Sequence, residues 1–172
     1  MKKALSLALA LALTVTALAG CSGKSGGAAA KTPEELTKLY ADAITANGGE
    51  GVEYNPVVSE AKEGDDSALL LEFLGLKAED MTAFGISMSL MNVNAYAIAA
   101  IMPAEGKADA VKEALQTYQE NQMSSFEMYL ADQYDIAKNA RLETLEDGTV
   151  LLVMCEDQDT VYDAIAKAIQ AG

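Results

Sequence analysis

No histidine occurs anywhere in the 172 residues. That single absence removes the Ser-His-Asp and Cys-His nucleophile systems and every metal site that uses imidazole. Tryptophan is absent too, so a Trp-lined sugar platform is excluded, although seven tyrosines remain. Basic residues are scarce, 12 against 26 acidic ones, for a formal net charge of -14. Nucleic-acid binding depends on basic residues displacing counterions from phosphate, so this balance argues against it. It argues equally against a domain held electrostatically on anionic lipid. Arg141 is the sole arginine, which leaves no clustered guanidinium clamp for phosphate or carboxylate.

Cysteine is nearly absent as well, with only Cys21 and Cys155. Cys155 follows an apolar run (Thr149 to Met154) and reads as a small apolar residue at the end of a buried strand. A reactive thiol needs a lowered pKa, whereas the neighbouring Glu156 and Asp157 would raise it.

The N-terminal region is distinctive. Met1-Lys2-Lys3 is a short positive segment, and Ala4 to Ala17 is an apolar run broken only by Ser6, Thr14 and Thr16. That run falls short of the roughly 20 residues a transmembrane helix needs and suits the apolar region of a signal peptide. Leu18-Ala19-Gly20-Cys21 follows, small residues before a cysteine. The arrangement resembles the lipobox of bacterial lipoprotein signal peptides. The resemblance implies acylation of the Cys21 thiol, cleavage between Gly20 and Cys21, and stable anchoring by two or three acyl chains. Loss of Lys2 and Lys3 with the leader leaves 10 basic residues against 26 acidic ones, a mature net charge of about -16. With Cys21 lipidated, Cys155 has no disulfide partner within the chain.

Ser22 to Lys31 (SGKSGGAAAK) contains no large apolar residue and reads as a flexible tether, spanning about 15–20 Å by random-coil scaling. The expected organisation is a signal peptide over residues 1–20, lipidated Cys21 and tether over 21–31, and one domain over 32–172.

Thr32-Pro33-Glu34-Glu35 is a helix start, with a capping threonine, proline at the first helical position and Glu35 to complete a capping box. Leu36, Leu39, Tyr40, Ala43 and Ile44 then form one apolar stripe, and Asn47-Gly48-Gly49 ends the helix. Residues 50–66 read as an acidic loop whose acids lack the alternating ligand order of a calcium loop. Ser67 to Leu74 predicts a short helix closed by Gly75. Phe84, Ile86, Met88 and Leu90 alternate with small residues, as in a half-buried strand. Ala95 to Met102 reads as its hairpin partner. Lys107 to Leu130 predicts one long helix bearing Val111, Leu115, Tyr118, Gln122, Phe126 and Tyr129 or Leu130 on one face. Ala140 to Leu145 and Thr149 to Cys155 predict a second hairpin, turning at Asp147-Gly148. A last helix carries Val161, Tyr162, Ile165 and Ile169, capped by Asp157 or Asp159. The expected fold is α+β: a four-stranded antiparallel sheet of two ββα units with helices packed on one face, preceded by an N-terminal helix. The other face is left either partly exposed or covered by the N-terminal helix.

Phe73-Leu74-Gly75-Leu76, the strand ending Met91-Asn92-Val93, the run Ala110-Val111-Lys112-Glu113-Ala114-Leu115, the stretch Phe126 to Leu130 and Asn139-Ala140-Arg141 occur in that order. The pattern, over Ser67 to Ala171, resembles the DUF4358 family of Firmicutes lipoproteins. The resemblance implies a Gram-positive envelope, hence the outer face of the cytoplasmic membrane, and implies no activity. After Asn94-Ala95 the family tends to carry acidic residues where this chain has Tyr96 and Ala97, so a role resting on those carboxylates does not carry over.

The functional expectation is a membrane-anchored, non-enzymatic binding or scaffolding module whose partner is an envelope protein or cell-wall component. The alternative is a small-ligand receptor associated with a transporter. No catalytic residue, metal or cofactor is assigned. A carboxylate pair for glycoside hydrolysis would have to come from Glu143 with Glu146 or Asp147, which read as solvated residues beside a turn. Met123 and Met128 fall off the main stripe of the long helix and are the interface candidates.

Overall fold

The computed structural model describes residues 31–61 and 66–172, and the described chain gathers into one compact unit, Lys31–Gly172. The expected signal peptide, the expected Gly20–Cys21 cleavage site and residues 21–30 of the expected tether lie outside the described residues.

Helix α1 spans Pro33–Asn47 and opens as its sequence predicts. The Glu35 amide donates to Thr32 Oγ1 at 3.3 Å, and the Thr32 amide donates to a Glu35 carboxylate oxygen at 2.7 Å. Hydrogen bonding of the carboxylate by Thr32, its amide above all, favours the charged form and holds Glu35 below its usual pKa. The segment expected to be loop contains a single helical turn, α2 (Gly51–Tyr54), and an isolated bridge from Val58 to Ile86. Helix α3 (Asp66–Phe73) ends before Gly75, which takes a positive φ of 68°.

Strands β1 (Met81–Met88) and β2 (Ala97–Pro103) form the first hairpin. Strands β3 (Arg141–Thr144) and β4 (Val150–Met154) form the second. Strand β2 pairs antiparallel with β4, giving the sheet order β1-β2-β4-β3. This is the expected four-stranded antiparallel α+β sheet.

Helices cover both faces of the sheet rather than one. The central strands are apolar on both sides, and burying only one side would leave Leu151 and Val153 in water. On one face Phe84, Ile86, Ala99, Ile101, Leu152 and Met154 pack against α3, α4 (Ala108–Phe126) and α5 (Ala131–Lys138). On the other, Ala83, Ile98, Ala100, Leu151 and Val153 pack against α1 and α6 (Gln158–Ala171). The small residues alternating along β1 have a structural use. A Cβ on Gly85 would stand 2.9 Å from Tyr40 Cβ and 3.2 Å from the Tyr40 carbonyl carbon, so glycine lets α1 lie against the strand.

Two further expectations are corrected. The long helix stops at Phe126, fully buried, and the chain turns through Glu127 to Tyr129 before α5 starts. The break lets Leu130 and α5 return to the core, and the Gln119 side chain ties α5 back by donating to the Ala137 carbonyl at 2.9 Å. Tyr129 consequently lies 85% exposed instead of continuing the stripe. At α6, Asp157 occupies the cap position in the left-handed region, φ 52°, and its side chain makes no capping bond. No helix among the described residues is long and apolar enough to cross a membrane.

Candidate functional site

The register places several loops together. Ala97 pairs with both Met88 and Met154, and Arg141 pairs with Val153. The chain leaving β1, entering β2, leaving β4 and entering β3 therefore lies at one end of the sheet. The segment after α1 joins them, because the Tyr96 ring sits directly over Gly51; a Cβ on Gly51 would stand 2.1 Å from that ring. Helix α5 closes the group, with the Ala95 amide donating to the Gln133 side-chain oxygen at 2.8 Å.

Between these segments lies a partly open cavity of about 460 Å³. Its wall combines the backbone of Gly48, Gly49 and Gly51, the side chains of Tyr54, Asn94, Gln133 and Ile136, and the carboxylates Glu50, Glu156 and Asp157. At its floor the buried Tyr96 hydroxyl lies 3.0 Å from Ser87 Oγ, which itself donates to the Asn55 carbonyl at 2.5 Å. Ser87 thus spends its proton on Asn55, and the Tyr96 hydroxyl has two acceptors for its own, Ser87 Oγ and the Gly48 carbonyl at 3.4 Å. Burial pushes the Tyr96 phenol up to about 12, so it stays neutral and acts as a fixed polar wall.

Cys155 also lines the cavity, 7% exposed. Burial, with Asp157 and Glu156 adding to it, pushes its thiol up to about 12. The sequence reading of a buried, apolar-behaving cysteine at a strand end matches this position. Among the described residues, no three Asp, Glu or Cys side chains gather closely enough to hold a metal ion.

The other sequence candidates fall elsewhere. Met123 is half-buried against the α4–α5 face of the core, whereas Met128 is 75% exposed. Two of the carboxylates weighed as an acid pair, Glu143 and Asp147, are engaged by other groups. Glu143 accepts from the Arg141 guanidinium at 2.8 and 3.1 Å. Asp147 accepts from the Thr149 amide and hydroxyl, both at 2.9 Å, and so closes the β3–β4 turn. Arg141 also stacks 3.7 Å over the Tyr162 ring and bonds Asp163 at 2.8 Å, fastening β3 to α6.

Sequence reading missed the cavity. Its signals were Gly48-Gly49 and Gly51, taken as a helix end and as part of the acidic loop, and Asn94-Ala95-Tyr96, taken as the entry into the second strand. Neither carries chemistry by itself; only the β2–β4 pairing brings them together.

The fold and site define a small three-layer α+β domain with an acidic end cavity and no assembled nucleophile or metal centre among the described residues. Residues 57–155 match the family described as a domain of unknown function (DUF4358), and the chain belongs to that family. The matched segment runs from Val57, beside the Val58–Ile86 bridge, to Cys155, so it holds the sheet and α3 to α5 but excludes α1, α2 and α6. No curated protein and no solved structure matches the chain.

Proposed function

We propose that this protein is a lipid-anchored, non-enzymatic binding module on the extracytoplasmic face of the membrane. In this reading Cys21 carries the anchor and the cavity end of the domain meets the partner, an envelope protein or cell-wall component. One observation supports it: the cavity lies at the end of the domain opposite the start of α1. The start of α1 sits by the beginning of β1, since Pro33, Lys38 and Thr82 line one shallow depression. The α1–α2 turn, about 22 Å further along a 15-residue helix, lines the cavity. A tether joined at Thr32 thus leaves the cavity directed away from its attachment point.

The chemistry available there supports binding over catalysis. Its thiol and its buried phenol both sit near 12, pushed up by burial, so both stay protonated near neutral pH. The second reading, a small-ligand receptor, is favoured by the cavity volume, which falls within the range usual for small-molecule sites.

Metabolic labelling with an alkyne palmitate analogue tests the anchor. Cys21→Ser should abolish label and leave the leader uncleaved, and label retained by that variant contradicts the reading. Crosslinking in cells, followed by capture of the tagged protein from membranes, tests the binding role. One dominant partner supports a binding module, while recovery of the protein alone moves weight to a small ligand.

A further inference from the structure

Among the described residues, the large apolar side chains left exposed are unevenly placed. Tyr54, Leu90, Met91, Val93, Met128 and Tyr129 lie on the segments that wall or flank the end cavity, and only Leu69 and Phe73, on α3, lie elsewhere. Tyr54 is 81% exposed and Met91 66%. Apolar surface concentrated in this way marks an interaction site. The charge on the same end has one sign. Glu50, Glu156 and Asp157 stand exposed at the cavity, with Glu53 on α2 and Glu127 and Asp132 around the α4–α5 turn. The two cations nearest this end are already engaged: Arg141 by Glu143 and Asp163, and Lys138 by the Tyr134 ring, 5.8 Å from its centroid.

We infer that the cavity end docks a polypeptide segment of a partner protein in which Lys or Arg side chains alternate with bulky apolar ones. This deepens, and rests on, the reading of that end as the binding surface. Charge complementarity selects the occupant. A second copy of this chain would set carboxylates against carboxylates, and an anionic bilayer would be repelled for the same reason. A lone metal ion lacks a gathered set of ligands among the described residues. A small ligand in the cavity would leave Leu90, Met91 and Met128 uncovered, because none of them lines it. A basic, apolar segment satisfies both features, its cations over the carboxylates and its apolar residues against the rim.

The test is fluorescence anisotropy with the full-length lipidated chain in uncharged phosphatidylcholine nanodiscs, titrated against a labelled amphipathic Lys/Leu peptide. A Glu/Leu peptide of equal length is the control, and bare nanodiscs give the background. The Lys/Leu peptide should bind, more weakly as salt rises, and the Glu/Leu peptide should not. Glu50→Gln, Glu156→Gln and Asp157→Asn together should weaken binding about tenfold and flatten its salt dependence, since three exposed ion pairs go at once. Met91→Ser with Val93→Ser should weaken it while keeping the salt dependence. Leu69→Ser with Phe73→Ser should change nothing. All seven side chains are exposed, and asparagine tolerates the left-handed backbone at 157, so folding is preserved.

Equal binding of both peptides overturns the inference, as does indifference to the carboxylate and rim variants. Full displacement by spermidine with no effect of the rim variant also overturns it, in favour of a small cation. If the Lys/Leu peptide fails to bind while photocrosslinkers at Tyr54 and Met91 still join the protein to a partner in cells, the binding end stands and the basic-apolar class falls. If those crosslinkers join nothing, the underlying reading falls with it.

Discussion

Tyr40 and Thr149, both buried, and Asp147, exposed at the turn, form a chain of hydrogen bonds whose direction is fixed by chemistry. The Asp147 carboxylate can only accept, so the Thr149 hydroxyl donates to it at 2.9 Å. Tyr40 must then donate to Thr149 Oγ1, 2.7 Å away, linking α1 to the β3–β4 turn across 109 positions of sequence. Both residues are fully buried, and burial pushes the Tyr40 phenol up to about 12. Tyr40→Phe removes one neutral bond and leaves Thr149 still bonded to Asp147, so the cost should be about 1 kcal/mol. Thr149→Val removes the bond to a charged acceptor and also strands the Tyr40 hydroxyl in the core. That combination should cost about 2–4 kcal/mol. In the double variant the stranded hydroxyl is gone, so the losses should fall short of additivity by about 1 kcal/mol. Urea denaturation followed by circular dichroism measures all four corners of the cycle, with the denaturant slope unchanged if only stability moves. A neutral Tyr40→Phe, or strictly additive losses, would refute the argument.

Three other predictions follow from the same packing. Gly85→Ala should cost about 1–3 kcal/mol in urea denaturation, because the added carbon meets the Tyr40 side chain and the α1 backbone; an unchanged midpoint would mean that α1 shifts freely. Met123→Ala should cost more than about 1 kcal/mol and Met128→Ala less than about 0.5, since Met123 is packed on the core and Met128 is 75% exposed; paired thermal melts decide it. For Cys155 the folded thiol sits well above its usual value, so the reactive thiolate is scarce until pH nears 12. Iodoacetamide should therefore modify native Cys155 slowly at both pH 7 and pH 9, its rate still climbing about tenfold per pH unit without levelling off, and far faster once urea unfolds the chain; a plateau below pH 9, or native modification as fast as in urea, would contradict the burial argument.

Much of the fold was legible because its signals are local. The Thr32 to Glu35 capping box, the alternation along β1 and the Asp147-Gly148 turn each specify a conformation within a few residues. The covering of both sheet faces was only half legible. Leu151 and Val153 announce a second buried face, but which helices cover it depends on the β2–β4 pairing, a contact between distant segments. The break at Phe126 was hidden because helix-forming residues run on past it, and tertiary packing of Leu130 overrides that propensity. The cavity was least legible. Its wall comes from the α1–α2 turn, the β1–β2 loop, α5 and the β4–α6 loop, each unremarkable alone. Met123 and Met128 both depart from the apolar stripe, yet Met128 stands exposed whereas the core recruits Met123 from the side.

The central claim is that partners meet the cavity end, away from the tether. A photoreactive amino acid placed singly at Tyr54, Met91 and Tyr129, and at Thr37 and Leu69 as controls, tests it in living cells. The account predicts crosslinks to the same partner from the first three positions and none from the controls. Crosslinks arising equally from all five, or only from Thr37 or Leu69, would contradict it.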